Sequence, residues 1–145
     1  MKITTKGRYG LRAMLDIATQ QDKGPVTLQS IAERQRISYR YLEQLMYSLK
    51  NAGLVKSVRG PMGGYMLTEQ TNNIKIGDIV RALEGPIAPV ECVNESCPED
   101  CMRSDTCAAK LVWLRVRECI VEALDSLTLE DMVNTFKGFA GKQIS

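Results

Sequence analysis

Apolar residues recur at helical spacing through the first third of the chain and predict three helices. The first runs over about residues 8–20, in which apolar side chains lie at i, i+3, i+4 and i+7 from Leu11. Thr27 can cap a short second helix, and Ser38 can cap a third that ends at Gly53. The third helix has one apolar stripe, formed by Leu42, Leu45, Met46 and Leu49.

The second and third helices form a candidate helix-turn-helix, because a tight turn joins them and the third is polar on one face. That polar face carries Arg40, Glu43, Gln44, Tyr47 and Lys50. A β-hairpin follows at once, with strands over residues 54–58 and 65–67 around a glycine-rich turn. A hairpin directly after a recognition helix is typical of a winged helix-turn-helix. The alternatives are a helical hairpin that serves only for packing and an inert surface hairpin.

The recognition helix predicts a set of candidate DNA contacts. A major groove admits one helix, and the side chains near the N-terminus of that helix read the base edges. On the third helix the candidates are Ser38, Tyr39, Arg40, Tyr41, Glu43 and Gln44. Arg40 can pair with guanine, Glu43 can accept from cytosine and Gln44 can bridge adenine. Further contacts are expected from Lys50, Arg59 and the wing turn of Gly60, Pro61, Gly63 and Gly64. The alternative for Glu43 is a solvent-exposed charge that pairs with Lys50 or Arg40.

The second half of the chain predicts three more helices around a cysteine-rich segment. One covers about residues 76–83. After Cys107 a long helix has an apolar seam at spacings of 3, 4, 3 and 4, formed by Trp113, Val116, Ile120, Ala123 and Leu127. Cys119 widens the apolar face of this helix and is expected in the core. The capping-box signature Thr128-Leu129-Glu130-Asp131 starts a last helix that Gly138 is expected to end.

The long helix predicts a homodimer, because one stripe can pack on the chain's own core while another meets a partner helix. The alternative is a wholly internal helix. The expected fold class is therefore mainly α with a small β-hairpin wing, that is, a winged helix-turn-helix plus a long dimerisation helix. Three parts are expected: a DNA-binding domain over residues 1–85, a cysteine-rich loop over 86–109, and the dimerisation and C-terminal helices over 110–145.

Charge is distributed unevenly along the chain. Residues 1–65 hold 11 Lys and Arg against 4 Asp and Glu, a net of +7, whereas residues 66–145 hold 8 against 13, a net of −5. A basic half joined to an acidic half indicates a polyanion-binding surface and a second part with another task, although chance clustering of solvated charges is the alternative.

Several signatures of other protein classes are missing from the sequence. It contains no histidine and no phosphate-binding or nucleotide-binding fingerprint, so neither an enzyme nor a small-molecule substrate is expected. It starts without an apolar leader and contains no run long enough to span a bilayer. A cytoplasmic protein with no membrane partner is therefore expected.

Four of the five cysteines lie within sixteen residues, at Cys92, Cys97, Cys101 and Cys107. In a reducing compartment such a cluster favours metal ligation or redox sensing over disulfides. Thiolates are soft ligands suited to iron–sulfur clusters and zinc, but the spacing matches neither a ferredoxin nor a zinc ribbon. Acidic residues surround the cysteines, and they would repel several thiolates without a cation. The segment is therefore expected to bind a metal.

Several motifs resemble the IscR/NsrR/CymR family of bacterial regulators, and the IscR branch most closely. They are Thr5-Lys6-Gly7-Arg8-Tyr9-Gly10, Tyr41-Leu42-Glu43-Gln44-Leu45, and Val58-Arg59-Gly60-Pro61 with Gly63-Gly64-Tyr65. The match runs over nearly the whole chain. The resemblance implies a homodimeric winged helix, swapped across a long helix, that binds a double-stranded DNA operator. It also implies an iron–sulfur cluster whose state alters the choice of DNA or the affinity for it.

The resemblance further implies three cluster ligands, which here are Cys92, Cys101 and Cys107. The IscR branch adds a histidine three residues after the last cysteine, a position that Lys110 fills in this chain. The fourth ligand is open between the additional Cys97 and another group, and a [2Fe–2S] cluster is favoured over a [4Fe–4S] cluster. The branch that takes an acidic ligand from near the N-terminus of the partner chain is not matched, since position 8 is an arginine.

Three functions remain open at this point. The leading one is a regulator that senses iron–sulfur status, oxygen or nitric oxide through its cluster and controls iron–sulfur assembly genes. The second is a repressor of sulfur metabolism, or one responsive to nitric oxide, that uses thiol, zinc or cluster chemistry. The third and most remote is an iron–sulfur electron carrier, which would leave the helix-turn-helix and the wing without a role.

Overall fold

A computed structural model describes residues 3–94 and 106–144, the last five of them by backbone only. Within these residues the elements are, in chain order, α1 (Thr5–Gln20), α2 (Leu28–Gln35), α3 (Tyr39–Asn51), β1 (Val55–Val58), β2 (Gly64–Leu67), α4 (Ile76–Glu84), α5 (Ala108–Asp125) and α6 (Leu129–Ile144). The predicted fold class, mainly α with one antiparallel hairpin, is confirmed. None of the described helices is long and apolar enough to cross a membrane.

Side chains immediately before the first three helices fix where these helices begin. The hydroxyl of Thr27 accepts from the amide of Ser30 at 3.2 Å, and that of Ser38 accepts from the amide of Tyr41 at 3.2 Å, as their cap positions predict. α1 starts three residues earlier than its apolar pattern indicates, because Thr4 caps it. Apolar periodicity predicts only those turns of a helix that carry buried side chains, so it does not detect a polar first turn.

The last helix begins where its capping box predicts and ends later than expected. The amide of Thr128 donates to the Asp131 carboxylate at 2.9 Å, and the amide of Asp131 donates to the Thr128 hydroxyl at 3.2 Å. The expectation that Gly138 ends this helix is wrong, since α6 continues to Ile144. A glycine inside a helix costs only about 1 kcal/mol relative to alanine and need not end it.

The core lies where α1, α3 and α4 meet. The whole predicted apolar stripe of α3 is buried, at 0–2% exposure, together with Met14 and Ile17 of α1 and Ile79 of α4. α1 and α4 approach closely at Gly10, where a Cβ atom would lie 2.1 Å from a methyl group of Leu83. A larger residue at this position would require the Leu83 side chain to move.

After α5 the chain packs against the segment that leads into α4. The amide of Ile76 donates to the carbonyl of Leu127 at 2.9 Å, and the amide of Leu129 donates to the carbonyl of Ile74 at 2.8 Å. Leu129 is fully buried and α6 packs on α1. The last helix is therefore part of the same core as the helix-turn-helix.

α5 packs on this core with one face and leaves its other face exposed. Ile120, Val121 and Leu124 lie partly buried against the core, but no residue of α5 is fully buried. The expectation that Cys119 is a core residue is wrong for the single chain, in which this thiol is exposed. Cys119 is next to Ile120 in the chain, but the apolar residues of α5 cover a wider arc than the face that packs on the core, and Cys119 lies outside that face. The large exposed apolar side chains of α5 are Leu111, Val112 and Trp113.

A buried carboxylate joins α1 to α2. Asp16 is 3% exposed, and Arg34 donates to its two oxygens, with Nε at 2.9 Å and Nη2 at 2.6 Å. Gln35 Nε2 donates to the same carboxylate at 3.0 Å. Because a buried carboxylate is tolerated only where donors meet it, this contact fixes how the end of α2 sits on α1.

Replacing Arg34 by Ala should therefore lower the free energy of unfolding by about 2–4 kcal/mol, because the Asp16 carboxylate stays buried with one neutral donor. Asp16→Asn should lower the free energy of unfolding by less, because the Arg34 side chain is 37% exposed and its charge can be solvated by water. Urea denaturation at pH 7 measures both, with Arg59→Ala on the exposed wing as a control without effect. Equal losses for the two variants would contradict this assignment.

Candidate nucleic-acid interface and cysteine segment

The polar face of α3 is free for a ligand. Its five side chains Arg40, Glu43, Gln44, Tyr47 and Lys50 are exposed, while the opposite face is buried. Among the described side chains, those of residues 3–94 and 106–139, Glu43 makes no ion pair, so the alternative pairing with Arg40 or Lys50 does not occur there. Lys50 Nζ instead donates to the Ser57 hydroxyl at 3.1 Å, which ties the end of α3 to β1.

Tyr41 differs from the other candidate readers on α3. It is half-buried, and its hydroxyl lies 2.7 Å from the hydroxyl of Thr5 on α1. Its ring meets the Tyr9 ring edge-on, with centroids 6.1 Å apart and an interplanar angle of 88°. Tyr41 therefore faces α1, whereas Ser38, Tyr39 and the polar face of α3 remain exposed. The sequence pattern predicts Tyr41 only as a candidate DNA contact and does not reveal this contact with α1.

The two strands of the wing are joined by a third segment, around Val26, whose pairing the sequence does not predict. β1 pairs with β2 in the register Val55–Leu67 to Val58–Gly64. Val26, just before α2, pairs with Tyr65 through reciprocal amide–carbonyl bonds of 2.9 and 2.7 Å. A Cβ atom at Gly64 would lie 2.5 Å from the Val26 carbonyl, and φ there is +155°, so this approach requires glycine. The exposed residues of the tip are Arg59, Gly60, Pro61 and Met62.

The cysteine segment begins and ends at described thiols. Cys92 lies in a 3-10 turn, Glu91–Val93, that packs against α5, and Cys107 immediately precedes α5. Both are half-buried. Cys97 and Cys101 lie outside the described residues, so the predicted four-thiol set stays a prediction. Within the described residues no three His, Cys, Asp or Glu side chains form a metal-binding group.

An ion pair joins α4 to the end of α5. Arg81 donates to both carboxylate oxygens of Asp125, at 2.9 Å each, and to Asp78 at 3.4 Å. The hydrogen bonds from Arg81 lower the pKa of Asp125 below its ordinary value, and the Arg81 charge acts in the same direction. The same contact raises the pKa of Arg81. The helix that follows the cysteine segment is thus bonded to the winged-helix unit, that is, to α1–α4 with the hairpin β1–β2.

A helix-turn-helix with a two-stranded wing and an exposed polar recognition helix defines a winged helix-turn-helix DNA-binding protein. The family model for Rrf2, described as an iron-dependent transcriptional regulator, matches residues 3–135. The chain belongs to the Rrf2 family of transcriptional regulators, which are not enzymes.

Two kinds of relative are similar to this chain. The HTH-type transcriptional regulator CymR of Bacillus subtilis (strain 168) is 47% identical over 95% of this chain and 94% of its own length. The HTH-type transcriptional regulator IscR of Pectobacterium atrosepticum is 41% identical over 92% of this chain and 80% of its own length. The predicted resemblance to the IscR/NsrR/CymR family is thereby confirmed.

Solved structures of both kinds share the fold. CymR (YrzC), the global cysteine regulator of B. subtilis, matches with a TM-score of 0.77 and 47% identity, over 93% of this chain and 98% of that one. T. potens IscR matches with a TM-score of 0.74 and 47% identity, over 93% of this chain and 88% of that one. Identity alone therefore does not separate the two kinds of regulator.

Glu43→Ala should relax sequence choice more than it lowers affinity. If Glu43 accepts from a cytosine amino group, its loss removes about 1–3 kcal/mol of discrimination at one base pair. Binding to random DNA should tighten, because a carboxylate near the phosphates is lost. Competition binding against single-base variants of a selected duplex measures this, with Glu130→Ala on α6 as a charge-matched control. Unchanged discrimination would place Glu43 on a solvent-exposed face.

Arg81→Gln should lower the free energy of unfolding at pH 7 by about 1 kcal/mol, since both side chains of the ion pair are about a third exposed. The folded-state pKa of Asp125 is depressed, so the pair stabilises above about pH 4 and its contribution disappears as the pH falls through that lowered pKa. Urea midpoints from pH 7 down to pH 2 measure the difference.

The control for this prediction is Arg115→Gln, which removes a longer pair with Glu118 at 3.7 Å between side chains that are both more than half exposed. It should change the midpoint at no pH. A deficit of Arg81→Gln that persisted unchanged at pH 2 would show that Arg81 stabilises by packing and not through its charge.

Proposed function

We propose that this regulator is a homodimer that binds a DNA operator through α3 and the wing, under the control of an iron–sulfur cluster. The observation that carries the proposal is the position of the cysteine segment. It lies between the last helix of the winged-helix unit and α5, and half-buried thiols, Cys92 and Cys107, stand at its two ends. A group held by both thiols would be bound to the chain between α4 and α5, next to the start of α5.

DNA reading is assigned to the exposed face of α3 and to the wing. Arg40, Glu43 and Gln44 lie near the N-terminal end of a helix whose other face is fully buried, so they project away from the core. The exposed wing residues Arg59 and Gly60 lie in the same basic half of the chain. Base edges would be read by the helix, and the wing and basic side chains would contact the DNA backbone.

Dimerisation is assigned to the uncovered face of α5. Leu111, Val112 and Trp113 are 69%, 56% and 40% exposed in the single chain. Soluble proteins rarely leave neighbouring large apolar side chains uncovered on one helix. A second copy of the same helix supplies a matching apolar face and places two recognition helices on one operator.

The donor set suits an iron–sulfur cluster. Cys92, Cys101 and Cys107 would hold it, with Cys97 as the further candidate, and a [2Fe–2S] form is favoured over [4Fe–4S]. The chain has no histidine, so the clustered thiolates are its strongest donors for such a cluster, and acidic residues around them favour a bound cation. When bound, such a cluster supplies redox and ligand-exchange chemistry at the junction of α4 and α5. Iron–sulfur assembly genes are the targets that the IscR resemblance suggests.

A second candidate is a regulator of cysteine or sulfur metabolism. It is suggested by the similarity to B. subtilis CymR, described as the global cysteine regulator, which matches this chain at the same 47% identity as T. potens IscR. In that case the clustered thiols would bind zinc or react directly, and no acid-labile sulfide would be present. The composition of the purified protein separates the two candidates.

Protein isolated without oxygen should contain iron and acid-labile sulfide and absorb in the visible. Cys92→Ala, Cys101→Ala and Cys107→Ala should each abolish that absorption and remove the difference in operator affinity between loaded and chelator-treated protein. Cys119→Ala is the matched control, because this fifth thiol is exposed on α5 and lies twelve positions after Cys107 in the chain. Stoichiometric zinc without sulfide from iron-replete cells would favour the second candidate.

Cys97→Ala tests the fourth ligand. If Cys97 completes an all-thiolate site, its loss should lower cluster yield and raise the reduction potential, because a thiolate is replaced by a weaker donor. Anaerobic reconstitution followed by redox titration measures both. A cluster of unchanged yield, spectrum and potential would exclude Cys97 and leave the fourth position to another group.

A further inference from the structure

The first turn of α1 lies between the end of α4 and the start of α3 and is hydrogen-bonded to both. We propose that this turn positions the recognition helix: Glu84 anchors it, and Thr5 holds Tyr41, so these residues set operator selectivity without touching a base. The inference rests on the proposal that α3 reads the operator. It assigns a role to three residues outside the base-reading face.

Glu84, the last residue of α4, anchors the turn with one carboxylate oxygen. This Oε1 accepts from the amide of Thr4 at 3.1 Å, from the Thr4 hydroxyl at 2.5 Å and from the amide of Gly7 at 2.8 Å. The amides at the start of a helix have no partner within it, and a negative charge beside them is favourable. Glu84 therefore fixes the start of α1 to the end of α4.

The opposite side of the same turn holds α3. The hydroxyls of Thr5 and Tyr41 are 2.7 Å apart, and Tyr9, one turn further along α1, packs edge-on against the Tyr41 ring. The amide of Tyr41 is in turn bonded to the hydroxyl of Ser38, the cap of α3. The contact thus reaches the end of the recognition helix from which bases are read.

A displaced recognition helix loses selective binding before it loses binding. Hydrogen bonds to base edges weaken steeply when distance or angle is wrong, whereas affinity for any DNA comes mainly from phosphate contacts. A residue that only stabilised the fold would change the folded fraction and both affinities together. The ratio of operator to non-operator affinity is therefore the measurement that reports positioning.

The test uses a duplex selected from a random library by the wild-type protein and a scrambled duplex of the same composition. Thr5→Val and Tyr41→Phe should each lower the affinity ratio about three- to tenfold, the worth of one hydrogen bond. The double variant should lower the ratio no further, because both changes remove the same bond. Thr5→Ser, which keeps the hydroxyl, should restore it.

Thr135→Val is the matched control, since that hydroxyl only donates to the Asp131 carbonyl within α6, at 3.0 Å. It should leave the ratio unchanged. Glu84→Gln, which keeps an acceptor without the charge, should lower the ratio less than Glu84→Ala. Urea denaturation of every variant confirms that the protein measured is folded.

A reduced ratio in Tyr41→Phe with an unchanged ratio in Thr5→Val would overturn the inference, because Tyr41 would then contact DNA directly. Additive effects in the double variant would overturn it as well. A wild-type protein that selects no sequence would overturn the proposed function itself, and is recognised before any variant is made.

Discussion

The carboxylate of Asp16 lies inside the winged-helix unit, and the position of the recognition helix depends on how that carboxylate is satisfied. Within the part of the chain that the structure describes, its side-chain donors are Arg34 and Gln35 at the end of α2, and these bonds hold α2 against α1. Gln35 also accepts from Arg12 of α1, which adds a second contact between the same helices. Because α3 starts only a few residues later at its Ser38 cap, fixing the end of α2 fixes where α3 begins.

α4 connects this unit to the rest of the molecule. Its last residue, Glu84, is bonded to the start of α1, and one turn earlier Arg81 is bonded to the end of α5. The cysteine segment leaves from α4 and re-enters at Cys107 before α5. The two helices that flank this segment are therefore joined to each other by a charged contact between Arg81 and Asp125.

Much of the local structure follows from the sequence, because caps and apolar periods are local properties. Ser38 and Thr27 cap the helices that they are expected to cap, and the apolar stripe of α3 is fully buried. The errors have physical reasons. Gly138 does not end α6, because one glycine weakens a helix without breaking it. Cys119 is exposed, because the apolar arc of α5 is wider than the face that packs on the core.

By itself the sequence determined the element order, the exposed polar face of α3, the wing and the family resemblance, since each depends on neighbouring residues or short motifs. Only the tertiary structure decided which distant residues meet: Val26 with Tyr65, Arg81 with Asp125, and Thr5 with Tyr41. These pairs are separated by 36 to 44 positions, and no periodicity or propensity carries information over that distance. The distances within these pairs are set by how the helices and the wing pack, and this packing is defined only in the folded structure.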